Sequence, residues 1–180
     1  MRLLLVAALS TIAFAQGIDT SFQVSYATNL NSSDAVVTVS NSGASAANIC
    51  VNVYTFGPDS TLLACCSCVL KPNASHALSA KVDLLPRGFP GSSMVVKAIS
   101  SAAAVASPFC NPGTVGTGAN VVTAGMLAWN TSLESATTTS GPVVAPSRIP
   151  FIPATLSPAE LTSVTSRCAA LAGGACSSCR

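Results

Sequence analysis

Charged side chains are scarce in this sequence. Asp, Glu, Lys and Arg make up only 8% of its 180 residues, against about 25% in ordinary globular proteins. The formal net charge is +2, so the chain has no strong field that would attract nucleic acid or an acidic membrane surface. We therefore expect no nucleic-acid partner. A surface with so few charges also has little electrostatic protection against self-association.

Residues typical of catalytic sites are few as well. The single histidine, His76, falls in an alternating, strand-like stretch, where a non-catalytic role is expected. The six carboxylates are spread over predicted turns and helix ends, with Asp59 as a turn former and Glu160 as a helix cap. We therefore predict no catalytic residue, no cofactor and no enzyme activity.

Aromatic residues make up 5% of the chain, and Trp129 is the only tryptophan. A tryptophan combines a large apolar face with a polar N–H group, which suits both a protein core and a ligand platform. Trp129 is thus the one residue that we single out as a candidate ligand contact, with a place in the core as the alternative. A ligand- or carbohydrate-binding module is accordingly our first alternative function.

The sequence also lacks an apolar run of the about 20 residues that a membrane-spanning helix needs. Its longest apolar stretch, residues 3–14, follows a single arginine and is followed by Gln16 after Ala13-Phe14-Ala15, an A-x-A cleavage site. We predict that residues 1–15 are a signal peptide and that the chain is secreted, with the periplasm or the cell surface as alternative destinations. No membrane insertion of the mature chain is expected.

Cysteine, in contrast, is abundant. Three of the eight cysteines fall within four residues, Cys65-Cys66-Ser67-Cys68, here called the CCSC segment. An even number of cysteines in an exported chain predicts disulfide bonds, and we expect the other five to converge on this segment. Cys65 and Cys66 should reach different partners, because a bridge between neighbours is strained. The disulfide candidates are Cys50, Cys65, Cys66, Cys68, Cys110, Cys168, Cys176 and Cys179.

Close cysteines are also the ligands of zinc and iron–sulfur sites. The CCSC segment together with Cys176 and Cys179 could supply such a site, but export favours bridges and we expect no metal. Cys176-Ser177-Ser178-Cys179 has the C-x-x-C spacing of redox motifs. It follows a predicted helix, however, whereas a thioredoxin-like motif lies at the N-terminus of a helix. A cysteine-based metal or redox protein is our second alternative function.

Short runs of alternating polarity separated by turn residues predict β-strands. The clearest is the run over residues 48–56, which places Ile49, Val51 and Val53 on one face and Cys50 and Tyr54 on the other. A turn at residues 57–60 then leads into a second arm that carries the CCSC segment. The pattern predicts a mainly β fold, an antiparallel β-sandwich of immunoglobulin-like architecture, over residues 16–135.

The composition changes after residue 135. Proline, serine and threonine dominate residues 136–157, which we predict to be an extended linker. Residues 158–180 are predicted to form a helix and a cysteine-rich tail, both packed on the sandwich. Ser157, Pro158 and Glu160 form a capping box at the helix start. The predicted apolar stripe consists of Leu161, Val164, Cys168 and Leu171.

Five segments of the chain carry a resemblance to a known group of proteins. They are residues 48–56, the CCSC segment, Ala128-Trp129-Asn130-Thr131, residues 156–161 and Ser177-Ser178-Cys179-Arg180. In these segments the chain resembles a family of uncharacterised secreted proteins from soil bacteria of the acidobacterial type. The resemblance covers most of the mature chain, and the CCSC segment is its most specific part. It implies export and a shared cysteine framework, and it implies no activity.

These features together favour a non-enzymatic role outside the cell. We expect a secreted, disulfide-stabilised structural or interaction protein. Its expected partners are further copies of itself, as a homo-oligomer, or other cell-surface and extracellular proteins.

Overall fold

The computed structural model describes residues 20–31, 33–103, 110–138 and 141–179. They form a mainly antiparallel β-sandwich of two sheets, as predicted, with one short helix near the C-terminus. The predicted signal peptide, residues 1–15, lies outside the described residues. The elements are β1 (Phe22–Ala27), β2 (Ala35–Asn41), β3 (Ile49–Phe56), β4 (Leu62–Leu70), β5 (Ser75–Ser79), β6 (Met94–Ala102), β7 (Met126–Thr138), β8 (Gly141–Pro150), β9 (Ile152–Pro153), α1 (Pro158–Ala170) and β10 (Gly174–Ala175).

One sheet has six strands in the order β10-β4-β3-β6-β1-β9, and the other has four in the order β5-β2-β7-β8. Neighbouring strands are antiparallel except for β10, which pairs with β4 in parallel. The predicted hairpin of β3 and β4 is confirmed, with Tyr54 opposite Cys65 and Val51 opposite Cys68. This hairpin places the CCSC segment next to the edge of the six-stranded sheet.

Two apolar clusters cover the two faces of the six-stranded sheet. The first lies between the sheets and includes Val37, Val39, Val51 and Val53. The second lies on the outer face, where Tyr54, Ile99 and Phe22 pack with Val115 of a loop and Val164 of α1. Every residue of β3 is buried because both of its faces are covered. In β2, by contrast, buried and half-buried residues alternate, the pattern of a strand with one inner face.

The structure corrects the prediction of a linker over residues 136–157. Most of the described residues of this range form strands. β8 pairs with β7 from Trp129 opposite Pro150 to Thr138 opposite Gly141, and β9 pairs with β1. The prolines are compatible with a strand because β8 lies at a sheet edge, where alternate N–H groups need no partner. The sandwich therefore extends to Pro153, beyond the predicted boundary at residue 135.

Helix α1 begins as predicted, with Ser157 as N-cap and Pro158 in the first turn. The Ser157 hydroxyl accepts a hydrogen bond from the Glu160 N–H at 3.1 Å. The carboxylate of Glu160, however, contacts Lys97 of β6 rather than completing the capping box. The apolar stripe is also shorter than predicted, because the helix ends at Ala170 and Leu171 is 51% exposed.

Candidate functional site at the cysteine cluster

All eight cysteines form disulfide bonds. The bridges are Cys50–Cys110, Cys65–Cys168, Cys66–Cys176 and Cys68–Cys179. Each cysteine of the CCSC segment thus reaches its own partner in the C-terminal region, across 103 to 111 residues of sequence. The expectation that all other cysteines converge on this segment is wrong for two of them, since Cys50 and Cys110 bind each other.

The alternation of side chains along β4 explains why the adjacent residues Cys65 and Cys66 form bridges to different partners. Successive strand residues point to opposite faces of a sheet. Cys65 belongs to the outer cluster, where it meets Cys168 of α1. Cys66 and Cys68 belong to the inner cluster, together with Cys176. One strand therefore binds the helix on one face and the tail on the other.

The C-terminal tail, defined here as residues 174–179, covers the edge of β4. Its first two residues form β10, and the Cys176 N–H then donates to the Ser67 carbonyl at 3.1 Å. A 3-10 turn follows over Ser177–Cys179. The carboxylate of Asp83 accepts hydrogen bonds from the Ser178 N–H at 2.9 Å and from its hydroxyl at 2.6 Å. Paired backbone, a carboxylate and two bridges hold this tail in place.

The sulfur atoms of the tail form a compact group. The Sγ atoms of Cys68, Cys176 and Cys179 all lie within 4.8 Å of one another, and Cys66 is bonded to Cys176. Cys66, Cys68 and Cys176 are at most 6% exposed, whereas Cys179 is only half-buried. All four sulfurs are in bridges, and it is the thiolate that binds metals. The bridged form therefore offers two disulfides in contact rather than a set of thiolate ligands.

A groove of about 330 Å³ lies between α1 and the end of the β3–β6 pair where β3 stops at Phe56. It is built around Phe56, whose ring centroid is 4.8 Å from the Lys97 Nζ and 5.3 Å from the Arg167 Cζ. Lys97 is paired with Glu160, and Arg167 donates to the Ser60 carbonyl at 2.9 Å. Because both cations have partners from the other side of the groove, this arrangement attaches α1 to the sheet.

Two ionisable groups have shifted pKa values. Burial raises the pKa of the Tyr54 hydroxyl, which donates to the Pro112 carbonyl at 2.6 Å. Hydrogen bonds from the backbone N–H and the hydroxyl of Thr61, with a smaller effect of Arg167, lower the pKa of Asp59. The Thr61 N–H lies 3.0 Å from the Asp59 carboxylate, which confirms Asp59 as a turn former. Both shifts are explained by structural roles.

Trp129 lies on the outer face of the four-stranded sheet, opposite Thr38 and Pro150. It is half-buried, and the Arg148 Cζ lies 5.5 Å from the centroid of its ring. Trp129 does not line the groove around Phe56, nor the grooves beside Leu85 and Leu156. His76 lies in β5 opposite Val39 and is half-buried. Trp129 and His76 are not brought together with the cysteine cluster.

Sequence reasoning missed two residues that shape the cysteine cluster. Asp83 reads as an isolated acid between Val82 and Leu84, and nothing in its neighbourhood indicates that it binds a tail 95 residues away. Gly173 reads only as a helix stop. A Cβ atom at Gly173 would lie 2.4 Å from the Cys65 Sγ and 2.7 Å from the Cys168 Sγ, so the glycine leaves room for this bridge. Both contacts are long-range and have no local signal.

Comparison of the chain with protein-family models, with curated proteins and with solved structures gave no match. Within the described residues, no helix has the length and apolar character required to span a membrane.

Proposed function

We propose that this chain is a secreted, disulfide-stabilised extracellular structural or interaction protein. The observation that carries the proposal is the attachment of the C-terminal region to β4 by three bridges, with a fourth between Cys50 and Cys110. Such bridges persist in oxidising compartments and are rare where glutathione and thioredoxin keep thiols reduced. The predicted signal peptide and the resemblance to secreted bacterial proteins support the same location.

The surface of the sandwich supports an interaction role. β2 pairs with β7 only as far as Ser132, while β7 continues with β8 to Thr138. The β7–β8 hairpin therefore runs past its neighbour β2. Leu133 and Ile149, which the register places on opposite faces of this hairpin, are 48% and 42% exposed. Exposed apolar side chains in a protein with so little charge are suited to contact with another protein surface.

Export is tested by expressing residues 1–180 in a bacterial host and recovering the protein from the periplasm or the medium. The recovered protein should begin at Gln16 and contain no titratable thiol in denaturant. A chain that stays in the cytoplasm with its first fifteen residues intact and its thiols free would overturn the proposed location.

We also propose that the partner at the β7–β8 hairpin is a second copy of the chain. Light scattering over a wide concentration range should show an average mass that rises with concentration. A Leu133→Asp substitution should shift the protein towards the monomer, because it places a charge in the apolar contact. The control is Val121→Asp, which alters a residue that is 54% exposed and lies outside the hairpin. A strictly monomeric wild-type protein would count against self-association.

A further inference from the structure

The two bridges of the C-terminal tail are in contact with each other. Cys176 is bonded to Cys66 and Cys179 to Cys68, yet the Sγ atoms of Cys68, Cys176 and Cys179 lie within 4.8 Å of one another. Disulfides exchange when a thiolate attacks a sulfur atom of another bridge. A thiolate formed in this group therefore has the neighbouring bridge within reach. The Cys65–Cys168 bridge belongs to the cluster on the opposite face of the sheet.

The four sulfurs differ in their access to solvent. Cys66, Cys68 and Cys176 are buried, and Cys179 is half-buried near the end of the chain. An external thiolate will therefore reach Cys179 first. Cys176 and Cys179 are also joined by a tight turn, in which the Cys179 N–H donates to the Cys176 carbonyl at 2.9 Å. This turn holds two cysteines at the C-x-x-C spacing at which local disulfides form.

We infer that this sulfur group is a thiol–disulfide exchange site, and that a single dithiol opens both bridges of the tail. The first thiolate of the dithiol attacks the Cys179 Sγ, and Cys68 leaves as a thiolate. The second thiolate of the dithiol closes its own disulfide and releases Cys179 as a thiolate. Cys179 then attacks the Cys176 Sγ, forming a Cys176–Cys179 bridge and releasing Cys66 as a thiolate.

The exchange is balanced. The dithiol is oxidised to a disulfide, and its two protons pass to Cys66 and Cys68. The number of bridges in the protein falls from four to three, although two bridges between β4 and the tail are lost. The substrate class is a dithiol, either a small molecule or a protein. This site is unlike a thioredoxin active site, because its reactive centre consists of two bridges in contact rather than one bridge at the start of a helix.

The consequence for the tail is the loss of its covalent attachment. What remains is the short pairing of β10 with β4, the hydrogen bond from the Cys176 N–H to the Ser67 carbonyl, and the hydrogen bonds from Ser178 to Asp83. Cys66 and Cys68 stay in β4 as two thiols on one face of the strand. Reaction with a dithiol can thus uncover the edge of β4, which the tail covers in the bridged form.

The test uses the native wild-type protein and dithiothreitol at one molar equivalent without denaturant. The reaction is stopped with acid, free thiols are alkylated, and the labelled residues and bridges are located by fragment-ion sequencing. The labelled fraction should carry two labels, on Cys66 and Cys68, and a new Cys176–Cys179 bridge. The Cys50–Cys110 and Cys65–Cys168 bridges should remain intact.

Two results would overturn the inference. Labels on Cys68 and Cys179 with an intact Cys66–Cys176 bridge would show that the bridges react independently. Labels spread over all eight cysteines would show that the dithiol acts by unfolding the protein. A Cys66→Ala/Cys176→Ala variant lacks the second bridge, so its labels should move to Cys68 and Cys179. If this variant does not fold, the labelled residues and bridges of the wild-type protein alone test the inference.

Discussion

At the scale of single residues, Gly173 shows how closely the chain packs around a bridge. A Cβ atom at this position would lie 2.4 Å from the Cys65 Sγ and 2.9 Å from the Cys65 carbonyl oxygen, both too close for van der Waals contact. At Gly174, the next residue, a Cβ atom would meet nothing within 4 Å. A side chain larger than hydrogen therefore has room at Gly174 but not at Gly173, although the two glycines are adjacent in the sequence.

We predict that Gly173→Ala lowers the free energy of unfolding by about 1–3 kcal/mol, the usual effect of overpacking. Gly174→Ala should change it by less than about 0.5 kcal/mol, as expected for a substitution into open space. Denaturant unfolding of the two variants under non-reducing conditions provides the comparison. Equal stabilities of the two variants would mean that Gly173 does not pack against the bridge as described.

Tyr54 gives a prediction about pH. Its hydroxyl is buried, and burial raises its pKa because the phenolate loses hydration. A group with a raised pKa in the folded state contributes its full stability below the unfolded pKa of about 10, and this contribution is lost as the pH rises further. We therefore expect the free energy of unfolding to fall above about pH 10.

The matched variants for this prediction are Tyr54→Phe and Tyr26→Phe. Tyr54→Phe should flatten the alkaline fall, at the loss of about 1 kcal/mol for the hydrogen bond to Pro112. Tyr26 is 62% exposed, so Tyr26→Phe should leave the profile as in the wild type. Denaturant titrations at several pH values measure these profiles. If the free energy of unfolding of Tyr54→Phe falls at alkaline pH as in the wild type, the fall is caused by another group.

At the scale of elements, β8 shows how an exposed edge is protected. The Phe151 N–H donates to the Ala128 carbonyl, so odd-numbered residues of this stretch direct their N–H groups towards β7. The even-numbered positions face the free edge, and three of them are Pro142, Pro146 and Pro150. Proline has no N–H group, which discourages strand addition. Any self-association at this hairpin should therefore use side chains rather than backbone pairing.

The C-terminal helix gives the prediction at this scale. A chain ending after Thr155 should lose several kcal/mol of unfolding free energy, because it lacks three bridges and the packing of Val164 on the outer cluster. The full chain with Cys65→Ala and Cys168→Ala should lose only about 2–5 kcal/mol, the effect of one native disulfide. Non-reducing denaturant unfolding of both proteins separates the contribution of the Cys65–Cys168 bridge from that of the rest of the C-terminal region. Equal losses would mean that helix packing and the two bridges of the tail add no stability beyond this bridge.

At the scale of the whole molecule, local sequence patterns predicted the architecture better than its boundaries. Alternation in residues 48–56 and the turn after them correctly placed the β3–β4 hairpin, and the capping residues placed the start of α1. The prolines of residues 136–157 were misleading, because their backbone preference is the same in a linker and in an edge strand. Only pairing with a partner strand distinguishes the two, and pairing is a long-range property.

The cysteine cluster could be predicted only in part, because its bridges also depend on long-range contacts. The number of cysteines and the strand period indicated that Cys65 and Cys66 form separate bridges. The partner of each cysteine depends on where the helix and the tail contact β4. The positions of the eight cysteines in the sequence do not reveal that contact. The contact between the Cys66–Cys176 and Cys68–Cys179 bridges had no sequence signal either, because it arises from residues more than 100 positions apart.

The central claim is that the three cysteines of β4 attach the C-terminal helix and tail, and bridge mapping of the native protein tests it most directly. Unreduced protein, alkylated in denaturant, should take up no label and should weigh about 8 Da less than the reduced form, two hydrogens for each of its bridges. Its cross-linked fragments should join Cys50 to Cys110, Cys65 to Cys168, Cys66 to Cys176 and Cys68 to Cys179. Labels on Cys65, Cys66 or Cys68, or stoichiometric zinc released by a chelator, would contradict the claim.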